Sequence, residues 1–242
     1  MSDLNAVKRR VAVANRILAR EGVVDAFGHV SLRHPDEPGQ YLLSCSRSPE
    51  LVAPGDVMAF TLDGDDAETS TGKPYLERHI HGAVFEARPD INAVVHNHAY
   101  EVVPFSLTGL GMRPVLHTAA VIGAEVPVWD IAENFGDTDL LVRNMDQGRD
   151  LAAALGSRTA ILMRGHGATV AGASLEEAVV ASVYLMVNAR IVAEAAGLSE
   201  SGLAGVRHLS AAEVESCRAT QLGDVSLGRV WEYLQARAGI DF

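Results

Sequence analysis

Between Ser174 and Ala196 the chain carries its longest apolar stretch, and that stretch decides what kind of molecule it can be. Ser174 followed three residues later by Glu177 is a capping-box pattern, which predicts a helix from about Leu175 to Ala196. Val179, Val183, Met186, Val187 and Arg190 mark one stripe of it. Asn188 and Arg190 interrupt the apolar run, so it falls short of the roughly 18 uninterrupted apolar residues that suggest a membrane span. A helix this apolar must then be buried against other elements of its own chain, as core packing. Of the 242 residues, 48% are hydrophobic and 21% charged, enough to build such a core and too apolar for a disordered chain.

The elements available to cover that helix are short and mixed. Asp3 is a candidate N-cap for a helix over residues 3–21, with Leu4, Val7, Val11, Ala14 and Leu18 at helical spacing and Gly22 as its stop. Tyr41–Cys45, Met58–Leu62, Ile91–His98 and Thr159–Met163 read as strands, bounded by turn-forming residues. Residues 75–88 read as a helix stopped by Pro89, and Ser210 with Glu213 repeats the capping-box pattern near the C-terminus. No linker, low-complexity stretch or internal repeat divides the chain, so the expectation is one α/β domain over residues 1–242.

Lys and Arg number 20 against 31 Asp and Glu, a formal net charge of −11 that disfavours nucleic acid and anionic membranes as partners. Cys45 and Cys217 lack any CxxC spacing and predict free, bland thiols in a reducing compartment. The first twenty residues lack the separate basic and apolar segments of a signal peptide. The expected location is cytoplasmic.

Chemistry concentrates in the histidines. His96-Asn97-His98 lies on a predicted strand, whose period of two turns both imidazoles to one face. His166, between Gly165 and Gly167 at a strand end, is the natural third ligand of a divalent ion. Three histidines and an open position suit a catalytic metal site better than a structural one. Glu77, with His81 one turn further on, is a candidate acid/base group or fourth ligand. No phosphate-binding loop, dinucleotide loop or serine nucleophile elbow is present. The acidic turns Asp63–Asp66 and Asp137-Thr138-Asp139 lack the spacing of a calcium loop.

The succession Gly28-His29-Val30-Ser31, Pro74-x-x-Glu77-x-x-x-His81, Ala93-Val94-Val95-His96-Asn97-His98 and Gly165-His166-Gly167 resembles the class II aldolase/adducin family, in the right order over about 200 residues. The resemblance implies a three-layer α/β/α domain around a central, mostly antiparallel sheet, and a homotetramer with active sites between subunits. It also implies His96, His98 and His166 as metal ligands, Glu77 as the acid/base residue, and Zn²⁺, Mn²⁺ or Co²⁺ as the ion, with no nucleotide or organic cofactor.

Two departures from the family's sugar-phosphate aldolases redirect the substrate. Those enzymes hold phosphate with an Asn after the first Gly and a Ser-Ser pair before the catalytic Glu, where this chain has His29 and Tyr75-Leu76. Their Tyr proton donor is replaced by Thr118 in the block Pro114–Thr118. The replacements resemble the branch that decarboxylates hydroxylated aromatic dicarboxylates, such as 3-hydroxy-2-methylpyridine-4,5-dicarboxylate and 3,4-dihydroxyphthalate. The expected reaction is metal-dependent decarboxylation with Glu77 as proton carrier. Arg47 and His29 are expected to hold a substrate carboxylate, and Ser46, Tyr75, His81 and His117 to complete the pocket. His79 and Arg113 are further basic residues of that neighbourhood, Arg113 within a turn. The alternatives are an aldolase for an unphosphorylated hydroxy-keto acid or aldehyde and, more remotely, a non-catalytic adducin-like module.

Overall fold

The computed structural model describes residues 2–239, in which eight α-helices and seven strands follow one another along the chain. They are α1 (Leu4–Arg20), β1 (His29–Arg33), β2 (Gln40–Ser44), β3 (Val57–Thr61), α2 (Arg78–Ala87), β4 (Ala93–Asn97), α3 (Val103–Thr108), β5 (Val128–Trp129), α4 (Ala132–Phe135), α5 (Met145–Leu155), β6 (Ala160–Met163), β7 (Gly167–Gly172), α6 (Leu175–Leu198), α7 (Ala211–Gln221) and α8 (Asp224–Arg237). The seven strands form one sheet in the order β3-β2-β1-β4-β7-β6-β5. All its pairings are antiparallel except β5 with β6.

The caps fall where the sequence predicts them. The Asp3 carboxylate accepts from the backbone of Asn5 and Ala6, and Ser174 and Ser210 each accept from the Glu three residues on. Glu213 completes its capping box, whereas the Glu177 carboxylate reaches one residue further back, to the Ala173 amide. By length and composition α6 could cross a membrane, its best 18-residue window having a mean hydropathy of 1.5. Most of that window is instead buried inside the fold. Asn188, the expected interruption, is fully buried and accepts from the Val115 amide while donating to the Arg113 carbonyl.

Strand alternation sorts the core into two faces. Ala93 and Val95 of β4, with Leu162 and Val170, pack towards α1 and α6, while Val94, Ile161 and Ala171 pack towards α2 and α5. His96 shares the parity of Val94, so its ring enters the α2 side of the sheet. That is the side on which Glu77 leads into α2.

The turn from β6 to β7 holds His166 and depends on its two glycines. Gly165 has φ of +62°, and a Cβ on Gly167 would land on the Asn97 carbonyl oxygen at the end of β4. Gly167→Ala is therefore expected to force β7 away from β4, lowering unfolding stability by about 1–3 kcal/mol or more. A urea midpoint equal to that of the unsubstituted protein would contradict this.

Candidate functional site

Four side chains from three separate segments converge where β4 ends. Ligand atoms of Glu77, His96, His98 and His166 all lie within 4.8 Å of one another. His98 Nε2 is 2.9 Å from His96 Nε2 and 3.0 Å from His166 Nε2, and Glu77 Oε2 lies 3.4 and 3.5 Å from His96 and His166 Nε2. The expected strand over 91–98 ends at Asn97, so His98 sits one residue past it and still beside His96.

The donor chemistry fits a divalent cation. The His166 Nδ1 proton is donated to the Leu140 carbonyl at 3.0 Å, which leaves a lone pair on Nε2. Burial, reinforced by His96 and His166, lowers the His98 pKa to about 3, so its imidazole is neutral. Three imidazole nitrogens brought this close cannot all satisfy one another by hydrogen bonding. Tetrahedral ligands about 2.0–2.1 Å from a zinc ion are themselves about 3.3 Å apart. Burial alone would raise the Glu77 pKa, but His96 and His166 outweigh it and hold the carboxyl well below the usual range.

The helix expected over 75–88 begins only at Arg78, and Glu77 occupies its N-cap position with φ of −90° and ψ of 18°. Its carboxylate does not cap its own helix. Oε1 accepts from the Val142 amide at 3.0 Å, which leaves Oε2 directed at the histidines. Glu77 and His81 thus do not share a helical face.

The loop that supplies both the Leu140 carbonyl and the Val142 amide gave no sequence signal beyond an acidic turn. Leu140 has φ of +66°, the left-handed region that a bulky residue rarely enters. Thr138 Oγ1 accepts from the Leu140 amide and Asp139 Oδ1 from the Leu141 amide, which fold the turn tightly enough to impose that conformation.

Beside the cluster a cleft of about 380 Å³ is lined by Glu77 and His98 together with His29, Ser46, Arg47 and Tyr75. The His29 and Tyr75 rings lie 4.4 Å apart, and the Tyr75 hydroxyl donates to the Arg47 carbonyl, fixing the loop that carries Ser46 and Arg47. Exposed Phe27 and Leu76 lie at the rim. Four of the six predicted substrate-binding residues are therefore brought together.

The other two are not. His81 is completely buried behind His29, bonded to His29 and to Ser31, and reaches no part of the cleft. His117 is exposed at the start of the 3-10 segment His117–Ile122, outside the residues lining the cleft. His79 is packed against Gly64 instead, and the Arg113 side chain reaches the Leu209 carbonyl. Both cysteines are free and half-buried.

The chain as a whole is similar to several known proteins. The family model of the class II aldolase and adducin N-terminal domain matches residues 9–193. Decarboxylase tropJ of Talaromyces stipitatus is 34% identical over 202 residues, covering 78% of this chain and 76% of that protein. The 3,4-dihydroxyphthalate decarboxylase of Arthrobacter keyseri is 34% identical over 192 residues, 73% of each chain. A solved aldolase II superfamily protein from Pseudomonas syringae shares the fold, with a TM-score of 0.80 at 20% identity over 100% of this chain and 97% of that one.

Proposed function

From the premise that this chain belongs to the class II aldolase and adducin family and is a carbon–carbon lyase, we propose that it is a metal-dependent decarboxylase of a hydroxylated aromatic or heteroaromatic carboxylic acid. The observation that carries this reading is the cleft wall. The His29 and Tyr75 rings, tilted by 42° against each other, line the cleft with Arg47 and offer an aromatic wall and one cation to a planar acid. Tyr75 and Leu76 supply no set of donors for a phosphate. The decarboxylase relatives support the same choice over a sugar phosphate.

In this reading His96, His98 and His166 hold a divalent ion, Zn²⁺ or Mn²⁺ with Co²⁺ as a substitute. Such an ion supplies Lewis-acid stabilisation for negative charge developing on a substrate oxygen. Glu77 begins ionised, accepts the proton of a ring hydroxyl beside the carboxylate, and passes it to the carbon bearing that carboxylate. The carbon–carboxyl bond then breaks, CO₂ departs, and its electron pair restores the aromatic ring. Arg47 orients the carboxylates, and Tyr75 holds the Arg47 loop in place. Retro-aldol cleavage of an unphosphorylated hydroxy-keto acid would use the same four metal-site residues with a different substrate.

The proposal extends to one domain over residues 1–242, acting in the cytoplasm as a homotetramer. Exposed Phe27, Leu76, Leu107 and Leu110 suit burial by a neighbouring subunit that closes the cleft. CO₂ release from metal-loaded protein against hydroxylated phthalates and pyridine dicarboxylates tests the reaction. Release that depends on added metal is expected; none from protein that demonstrably holds its ion would favour the aldolase reading.

The Leu140 loop has a consequence of its own for the ion. Leu140→Val places a β-branched side chain at positive φ, which should misplace the carbonyl that orients His166. Metal affinity should fall about 10–100-fold, the usual weight of a group that orients a ligand. Leu140→Gly, which adopts that φ freely, should retain affinity; equal losses in both variants would show that backbone conformation is not the cause.

A further inference from the structure

The hairpin turn that carries His166 is gripped from outside by a residue that belongs neither to the metal set nor to the cleft. The His166 amide donates to the Met163 carbonyl at 3.1 Å, closing a four-residue turn with Arg164 and Gly165 at its centre. Gly165 has φ of +62° and Arg164 does not share that region, the pattern of a type II turn. The central amide of such a turn, here Gly165 N–H, has no partner within the turn. It donates instead to Ser106 Oγ of α3 at 3.0 Å. Ser106 keeps only 2% exposure, and its own proton goes to the Val103 carbonyl at 2.7 Å, so a lone pair faces the Gly165 amide. Helix α3 is a firm base for that acceptor, because Phe105, next to Ser106, is buried in the apolar cluster shared with α6.

We propose that Ser106 is a positioning residue for the metal site, its hydroxyl holding the Gly165 amide and so seating the His166 turn against α3. One short stretch of chain then serves all three histidines. It supplies His96 and His98 directly, and eight residues beyond His98 it grips the turn that bears His166. Type I and type II turns differ by rotation of the central peptide, which swings its N–H to the opposite side. A Cβ on Gly165 would meet only the side-chain tips of Leu107 and Leu140, at 3.7 and 3.8 Å. Glycine is thus needed there for its φ and not for want of space, and the Ser106 acceptor is what selects that φ. Without the acceptor a buried N–H is left unpaired, and the turn relieves it by rotating that peptide or by lifting from α3. Either movement shifts His166 relative to His96 and His98. The consequence for the ion rests on the reading of His166 as a ligand; the hydrogen bond does not.

The hydrogen bond is read first, in metal-free protein and without turnover. Amide hydrogen exchange followed by NMR should show the Gly165 proton protected, and Ser106→Ala should speed its exchange about 10-fold or more. Equal exchange rates in the two proteins overturn the proposal. Zn²⁺ affinity is then measured by competition with a chromophoric chelator. Ser106→Ala should weaken it about 10-fold, the lower end of the range for groups that orient a ligand. Gly165→Ala, drawn to the other turn form, should lose the same contact. The double variant should therefore bind no more weakly than the worse of the two singles.

His166→Ala separates failure of this proposal from failure of the ligand reading. Unchanged Zn²⁺ affinity in Ser106→Ala while His166→Ala loses the ion, or losses that multiply in the double variant, overturn the positioning role alone. Unchanged affinity in His166→Ala, or no Zn²⁺ binding by the native protein, removes the ligand reading, and the positioning role toward the ion falls with it. Ser106→Cys separates the hydrogen bond from simple filling of space, since its sulfur occupies the site as a weak acceptor. It should lose affinity as Ser106→Ala does; native affinity in it would make Ser106 a space filler and overturn the proposal. Circular dichroism checks that each variant is folded. If Ser106→Ala does not fold, Ser106→Cys takes its place, and if neither folds, the hydroxyl is a requirement of the fold and the proposal is overturned.

Discussion

Glu77→Gln is expected to slow turnover about 10²–10⁴-fold while the bound ion remains, the usual weight of a lost general acid–base group. The substitution is nearly isosteric. The amide oxygen can still accept from the Val142 amide, as Oε1 does at 3.0 Å in the native protein. What disappears is the ionised oxygen lying 3.4 and 3.5 Å from His96 and His166. Without it nothing in that position can take a hydroxyl proton and return it to carbon. Steady-state kinetics with metal analysis on the same samples separate the possible results. Slow turnover at full metal content supports a proton carrier. Slow turnover with lost metal makes Glu77 a fourth ligand, and near-normal turnover hands the proton to another group or to water.

His96→Ala should remove most of the bound ion and with it the activity, with little change in secondary structure. His96 is fully buried, with its Nε2 2.9 Å from His98 Nε2 and 3.4 Å from Glu77 Oε2, so its removal takes a central donor out of the set. The fold does not rest on that nitrogen. Apolar clusters on both faces of the sheet hold β4 through Val94 and Val95, and chelation should likewise leave the protein folded. Elemental analysis and circular dichroism of the purified variant check both halves. Full metal content would refute the ligand assignment, and an unfolded variant would be resolved by chelating the native protein.

Much of the site was legible because its signals are local. Asp3, Ser174 and Ser210 cap helices through groups two or three residues away, and a strand's period of two brings His96 and His98 together within one segment. Gly165-His166-Gly167 marked a strand end for the same reason. Strands β1 and β7 were not legible as strands, since their register comes from pairing with β4 rather than from their own pattern. The helix boundary at Arg78 was missed because the pull on Glu77 comes from Val142, 65 residues away.

Residue types and short spacings alone determined that this chain has a metal-type histidine set, a carboxylate near it and a family to belong to. The tertiary structure alone decided which predicted pocket residues meet the cleft and which stand behind it. His81 carries the same chemistry as His29, and only the packing of α2 against β1 and β4 puts one at the surface of the cleft and the other beneath it. The same holds for Leu140, whose carbonyl and strained backbone matter only because the folded turn lies against His166. Backbone groups are identical in every residue, so which of them will orient a ligand is written in the fold and not in the sequence.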